Sequence, residues 1–171
     1  MQVNNEGEHL AAKALGDYLI QNNGRVVTAE SCTGGLIGGA LTSVAGSSKW
    51  FDRGWITYTN TAKHEQLGVS KETLREFGAV SEPVARQMAV GALAMASEAT
   101  LALSVTGIAG PGGGTPDKPV GLVWFGLARR TEDDVVVSSI HQVFPGNRQA
   151  VREATVNFAL MHALQWIDQR I

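Results

Sequence analysis

The sequence is short of the residues that mark several large function classes. It has one cysteine in 171 residues, so it closes no internal disulfide and offers no thiolate set for a metal; a reducing compartment is expected. Its 14 Lys and Arg residues are outnumbered by 16 Asp and Glu, for a net charge of -2. No basic stripe interleaved with aromatics runs through it, and a nucleic-acid partner is not expected. The four histidines, His9, His64, His141 and His162, show no His-Glu-x-x-His or comparable spacing, so no metal site is expected. No apolar run reaches membrane-spanning length, and the opening stretch MQVNNEGEHLAAK is polar where a signal peptide has a basic start and an apolar core. The expectation is a cytoplasmic protein with no membrane partner. Neither the G-K-[ST] ending of a phosphate loop nor a G-x-G-x-x-G after a first strand is present, which disfavours ATP and dinucleotides.

What is present suits one domain spanning residues 1–171, with 44% hydrophobic residues available for a core. Leu10, Ala11, Ala14, Leu15, Tyr18 and Leu19 recur at helical spacing from Glu8 to Asn23, and Gly24 follows where a helix end favours a left-handed residue. Arg25 to Ala29 reads as a strand, Gly34 to Val44 as a helix rich in small residues, and Gly54 to Thr59 as a second strand. Asn60, Ser70 and Ser81 read as helix N-caps, the last opening a helix from Glu82 to Ala99. Thr100 to Thr106 is a near-continuous apolar run, hence a buried central strand. Leu122 to Ala128 and Val135 to Val143 read as an antiparallel hairpin, and a helix from Asn147 to Ile167 ends the chain. This order predicts a three-layer α/β/α sandwich with a mixed β-sheet, its site where strands end in loops.

The stretch "VVTAESCTGG", Val26 to Gly35, sets four reactive or polar side chains between a strand and a helix. Ser31 there is exposed by the turn, and the amides near Thr33, Gly34 and Gly35 face whatever it attacks. As a local pattern alone, the stretch favours Ser31 or Thr33 as a simple helix cap. A serine nucleophile needs a base, and Lys63 in "TYTNTAKHE" stands at a helix start that disfavours its charge. Acting near neutral pH requires its pKa to fall from about 10.4 to roughly 7–8. Tyr58 on the preceding strand is placed to hydrogen-bond the amine or the serine, completing a Ser-Tyr-Lys set. Cys32, one residue on from Ser31, points the other way and reads as packing, while Glu30 pairs with Lys63 or the helix end or is a bystander. Arg148 in "FPGNRQAVRE" starts a helix and is placed to fork a phosphate. Trp50, Phe51 and Trp55 near the site, read as exposed, suggest a homo-oligomer interface.

Taken together, "TAESCTGGLIG", "GWITYTNTAKHEQLGV", "GAVSEPVARQMA", "SVTGIAGPGGG", "KPVGLVWFGLA" and "FPGNRQAVRE" resemble the C-terminal domain of the competence-damage-inducible protein family, in its stand-alone form. The resemblance implies hydrolysis of nicotinamide mononucleotide to nicotinic acid mononucleotide and ammonia, in pyridine-nucleotide salvage, without a cofactor. It carries the family's serine, tyrosine and lysine onto Ser31, Tyr58 and Lys63. It carries the threonine and glycine after the central strand onto Thr106 and Gly107, which would hold the substrate amide or its oxyanion, and an arginine onto Arg148. An alternative with the same motifs is an inactive paralogue that binds a nucleotide without turning it over. A reductase with a Tyr-Lys pair is a third reading, weakened by the missing dinucleotide fingerprint.

Overall fold

Two runs of apolar residues, Val26–Glu30 (β1) and Leu101–Gly107 (β3), lie side by side and parallel at the centre of a five-stranded sheet. The computed structural model describes residues 3–169. Around these strands it places α1 (Val3–Gln21), α2 (Leu36–Thr42), β2 (Phe51–Ile56), α3 (Asn60–Leu67), α4 (Lys71–Phe77), α5 (Glu82–Met95), β4 (Leu122–Arg130), β5 (Val135–Val143) and α6 (Arg148–Asp168). The strand order is β2-β1-β3-β4-β5, with β1 parallel to β2 and β3, and β3-β4 and β4-β5 antiparallel. The result is the expected α/β/α sandwich on a mixed sheet.

Strand alternation sorts the core into two layers. Val26, Leu101, Leu103 and Val105 face Leu15 of α1, Ile37 of α2 and Leu160 of α6, while Val27, Ala29 and Ala102 face Leu67, Leu74 and Met88 of α3, α4 and α5. The second layer is built of smaller strand residues, so α5 rides close to the sheet. Ser104 Oγ donates to the Ala85 carbonyl at 2.7 Å, and a β-carbon at Gly126 would strike that same carbonyl oxygen and the Ser104 hydroxyl.

Because the chain leaves β1 toward β2 and returns to β3 on the other side, the carboxyl ends of β1 and β3 form the crevice at which ligands bind in open α/β sheets. Ser31 N–H donates to Val105 O at 3.1 Å, pinning the first residue after β1 to the end of β3.

Several local expectations shift. The left-handed residue after α1 is Asn23, with φ 53°, and not Gly24, whose added β-carbon would crowd Thr100 Oγ1 and Leu19. β2 runs from Phe51 to Ile56, so Tyr58 lies beyond the strand. The cap of α3 is Thr59, whose hydroxyl accepts from Ala62 N–H at 3.0 Å, and Asn60 is the first helical residue. α5 stops at Met95, where Arg130 reaches in to take the carbonyls of Leu93 and Ala99. Trp50 is not an exposed interface residue: it is 2% exposed, seated in the notch that Gly16 leaves on α1, and Phe51 and Trp55 are half-buried.

Two glycine-to-alanine changes test the packing in one denaturation experiment. Gly126→Ala is expected to lose about 1–3 kcal/mol from overpacking against α5. Gly39→Ala, which meets nothing within 4 Å in α2, is expected to be neutral or to gain up to about 1 kcal/mol from helix propensity.

Candidate active site

The turn after β1 is organised by a carboxylate. Glu30 is 2% exposed, and its Oε1 accepts from Thr33 Oγ1 at 2.6 Å, Gly35 N–H at 3.2 Å and Ile37 N–H at 2.9 Å. Its Oε2 accepts from Gly38 N–H at 3.0 Å. A buried charge needs such a set of donors, and the helix start supplies them to it. Gly34 and Gly35, at φ 58° and 101°, give the backbone the left-handed bends that bring those amides round.

This arrangement corrects the expectation that Thr33, Gly34 and Gly35 stabilise a substrate oxyanion from the helix start. The Gly34 amide donates to Ser31 O at 3.1 Å, the Gly35 amide and the Thr33 hydroxyl are held by Glu30, and none of the three residues is among those lining the cavity beside Ser31. Among the described residues, the amides left in the turn without a protein acceptor are those of Cys32 and Thr33.

Lys63, the fourth residue of α3, turns inward and is 1% exposed. Its Nζ donates to the carbonyls of Thr57 at 2.8 Å and Tyr58 at 3.1 Å and lies 2.9 Å from Ser31 Oγ. Burial pushes its pKa down to about 8, opposed by the neighbouring Cys32 thiol. An ammonium has three N–H groups and meets three acceptors here; the neutral amine keeps two for the carbonyls and turns its lone pair on the Ser31 hydroxyl. Deprotonation therefore reverses the Ser31–Lys63 hydrogen bond.

Cys32 packs in the same core layer as Ile37, and burial drives its thiol up to about 11. It is a neutral thiol, not the lowered one that a helix start would have given, which fits packing rather than nucleophilic attack.

Ser31, Lys63, Tyr58, Thr106, Gly107 and Arg148 share one cavity of about 260 Å³, roofed by Ala79, Val80 and the loop from Ile108 to Gly113. Thr106 Oγ1 donates to Ala79 O at 2.8 Å, so it faces the cavity as an acceptor. Tyr58 is 57% exposed, and its hydroxyl touches neither Ser31 nor Lys63: it accepts from Arg148 Nη2 at 3.0 Å, and only its carbonyl meets the lysine. Arg148 also donates to Gly110 O at 2.8 Å, tying the start of α6 to the glycine loop. A larger depression of about 570 Å³ lies beside Glu6, His9, Leu10 and Ser43; there His9 Nδ1 is 3.2 Å from Ser43 Oγ, but the pair is exposed and the hydroxyl donates to Ala40 O. Among the described residues no group of three or more His, Cys, Asp or Glu is placed to hold a metal, and no helix is long and apolar enough to cross a membrane.

Two residues that organise the turn were not fixed by the amino-acid order alone. Glu30 was visible only as one of three possibilities. Arg152 was not singled out, although its place four residues after Arg148 on one helix face was available as a signal; its Nε and Nη2 donate to the carbonyls of Cys32 and Thr33, each at 3.1 Å.

Residues 8–167 match the family model for the CinA C-terminal domain. The chain is 52% identical over 157 residues to the nicotinamide-nucleotide amidohydrolase PncC of Enterobacter agglomerans, an alignment covering 92% of this chain and 93% of that one. It is 46% identical over 149 residues to the protein of the same name from Escherichia coli K12, covering 87% and 88%. The crystal structure of competence/damage inducible protein CihA from Agrobacterium tumefaciens superposes with a TM-score of 0.85 at 47% identity, over 93% of this chain and 96% of that one.

If Glu30 holds the turn, Glu30→Gln leaves an amide group against four donors and loses about 1–3 kcal/mol in urea denaturation. Wild-type stability in that variant would contradict the role.

Proposed function

We propose that this chain, which belongs to the CinA C-terminal domain family, hydrolyses the carboxamide of nicotinamide mononucleotide to nicotinic acid mononucleotide and ammonia, serving pyridine-nucleotide salvage in the cytoplasm. The names of its relatives support the substrate. The observation that carries the reading is a serine hydroxyl 2.9 Å from a buried lysine amine whose pKa is lowered to about 8, at the end of a cavity with an arginine in its wall.

In this reading the neutral Lys63 amine takes the Ser31 proton as Oγ bonds to the carboxamide carbon. The carbonyl oxygen gains the displaced electron pair and is held by the N–H group of Cys32, the residue after the nucleophile, which lines the cavity. Thr106 Oγ1, already spending its proton on Ala79 O, accepts from the substrate NH2 and selects an amide over an ester at that position. Lys63 returns its proton to that nitrogen, the C–N bond breaks and ammonia leaves, giving an acyl ester on Ser31. A water then loses a proton to Lys63 and attacks the ester; the C–Oγ bond breaks and Ser31 recovers its proton. No cofactor enters these steps. Tyr58 positions Lys63 through its carbonyl and Arg148 through its hydroxyl. Arg148 uses two of its five N–H groups on Gly110 O and Tyr58 and keeps three for the substrate phosphate.

Ser31→Ala and Lys63→Met are each expected to cut kcat for ammonia release by about 10⁴-fold. Thermal stabilisation of the wild type by the mononucleotide with no ammonia released would overturn the reading in favour of a binding module. The active form of Lys63 is the neutral one, so kcat/KM should rise with pH and level off above about 8. A profile flat from well below that value to well above it would rule out Lys63 as the base.

A further inference from the structure

We infer that the Tyr58 hydroxyl is a phosphate-binding group: with the Arg148 fork it forms the subsite that selects a mononucleotide over its riboside. This assignment rests on the amidase reading above and adds to it the residue that meets the far end of the substrate.

Arg148 Nη2 and Tyr58 Oη lie 3.0 Å apart. A guanidinium has N–H groups and no acceptor, so in this contact the arginine donates and the phenol oxygen accepts. The phenol proton is left unspent: among the described residues Tyr58 Oη donates to no acceptor, and it makes no hydrogen bond to Ser31 or Lys63. The lysine is met by the Tyr58 carbonyl instead, at 3.1 Å. Tyr58 therefore spans the cavity. Its backbone end lies at the reacting pair and its hydroxyl at Arg148, so the length of one tyrosine side chain separates the chemical end of the site from the arginine. A mononucleotide has the same layout, with the pyridine ring and the ribose between its carboxamide and its phosphate.

The surroundings fit an anion at this end. Tyr58 is 57% exposed and lines the cavity together with Arg148, so a ligand in the cavity meets both residues. No Asp or Glu is among the described residues that line it, and a phosphate there meets no like charge. The guanidinium is already fixed, because Nη1 donates to Gly110 O at 2.8 Å while Nη2 donates to Tyr58, which lowers the ordering cost of gripping a ligand. A phosphate oxygen on the second N–H of Nη2 has the phenol proton as its next donor. Hydrogen bonds to a charged acceptor are the strong ones.

The test measures ammonia release from nicotinamide mononucleotide and from nicotinamide riboside, which lacks only the phosphate, and reads the ratio of the two kcat/KM values. Phenylalanine keeps the ring and the carbonyl of residue 58 and removes the hydroxyl. In Tyr58→Phe the ratio should fall about 10-fold, the size expected for one hydrogen bond to a charged group, through a raised KM for the mononucleotide. In an Arg148→Met background the same change should lower the ratio again, since the phenol meets the phosphate itself. An equal loss on both substrates overturns the assignment, because it puts the hydroxyl in the chemical step. An unchanged ratio overturns it too. So does an effect that vanishes in the Arg148→Met background, which marks a hydroxyl that only orients the arginine. Calorimetric titration with ribose 5-phosphate needs no turnover and decides if riboside hydrolysis is too slow to measure. Binding about 10-fold weaker in Tyr58→Phe than in wild type supports the subsite, and equal binding to both, or none to wild type, overturns it. A wild type that binds ribose 5-phosphate but releases no ammonia from either substrate contradicts the amidase reading and leaves the phosphate subsite standing.

Discussion

The site depends on one buried amine. Lys63 is held out of water, with the carbonyls of Thr57 and Tyr58 on two sides and the Ser31 hydroxyl on a third. Among the described residues no carboxylate hydrogen-bonds it, so burial is uncompensated and the charged form is disfavoured. An acidic partner would hold the lysine charged and useless as a base; a solvent-exposed lysine would titrate too high to act near neutral pH. The nearby Glu30 is kept from this part by its own four donors, which turn its carboxylate toward α2. Keeping the buried carboxylate and the buried amine apart is what leaves the amine able to accept a proton.

The fold makes that separation possible. β1 ends at the point where the strand order reverses, so the turn after it faces the end of β3 across a crevice, with α2 entering from one layer and α3 from the other. Glu30 and α2 belong to one side of the sheet and Lys63 and α3 to the other. Ser31 sits between them. The start of α6 closes the mouth through Arg148, and one helical turn later Arg152 braces the turn from behind. Two arginines four residues apart on one helix therefore serve the two ends of the site.

Much of this was legible in the amino-acid order. Strand-forming runs broken by Ser-Cys-Thr-Gly-Gly and by a glycine-rich loop mark strand ends, and the hairpin pattern of β4 and β5 is unambiguous. Ser31 and Lys63 could be paired because one follows a strand and the other opens a helix. What could not be read depends on contacts distant in sequence. The destination of the Glu30 carboxylate follows from two positive-φ glycines that fold α2 back over it, and no pattern of residue types states those angles. Trp50 looked exposed because its local neighbours are polar; the notch at Gly16 that receives it lies 34 residues earlier. Tyr58 was placed beside Lys63 by proximity in the chain, but the loop after β2 sends its hydroxyl to Arg148, 90 residues on. Arg152 lay hidden because its partners are backbone carbonyls, which leave no mark on the sequence.

A serine activated by Lys63 requires that the Lys63 amine lose its proton near neutral pH. Following the Lys63 side chain by heteronuclear NMR through a pH titration of the intact protein measures this directly. A midpoint near 8 is the result predicted; a midpoint at the ordinary lysine value of 10.5 would contradict it.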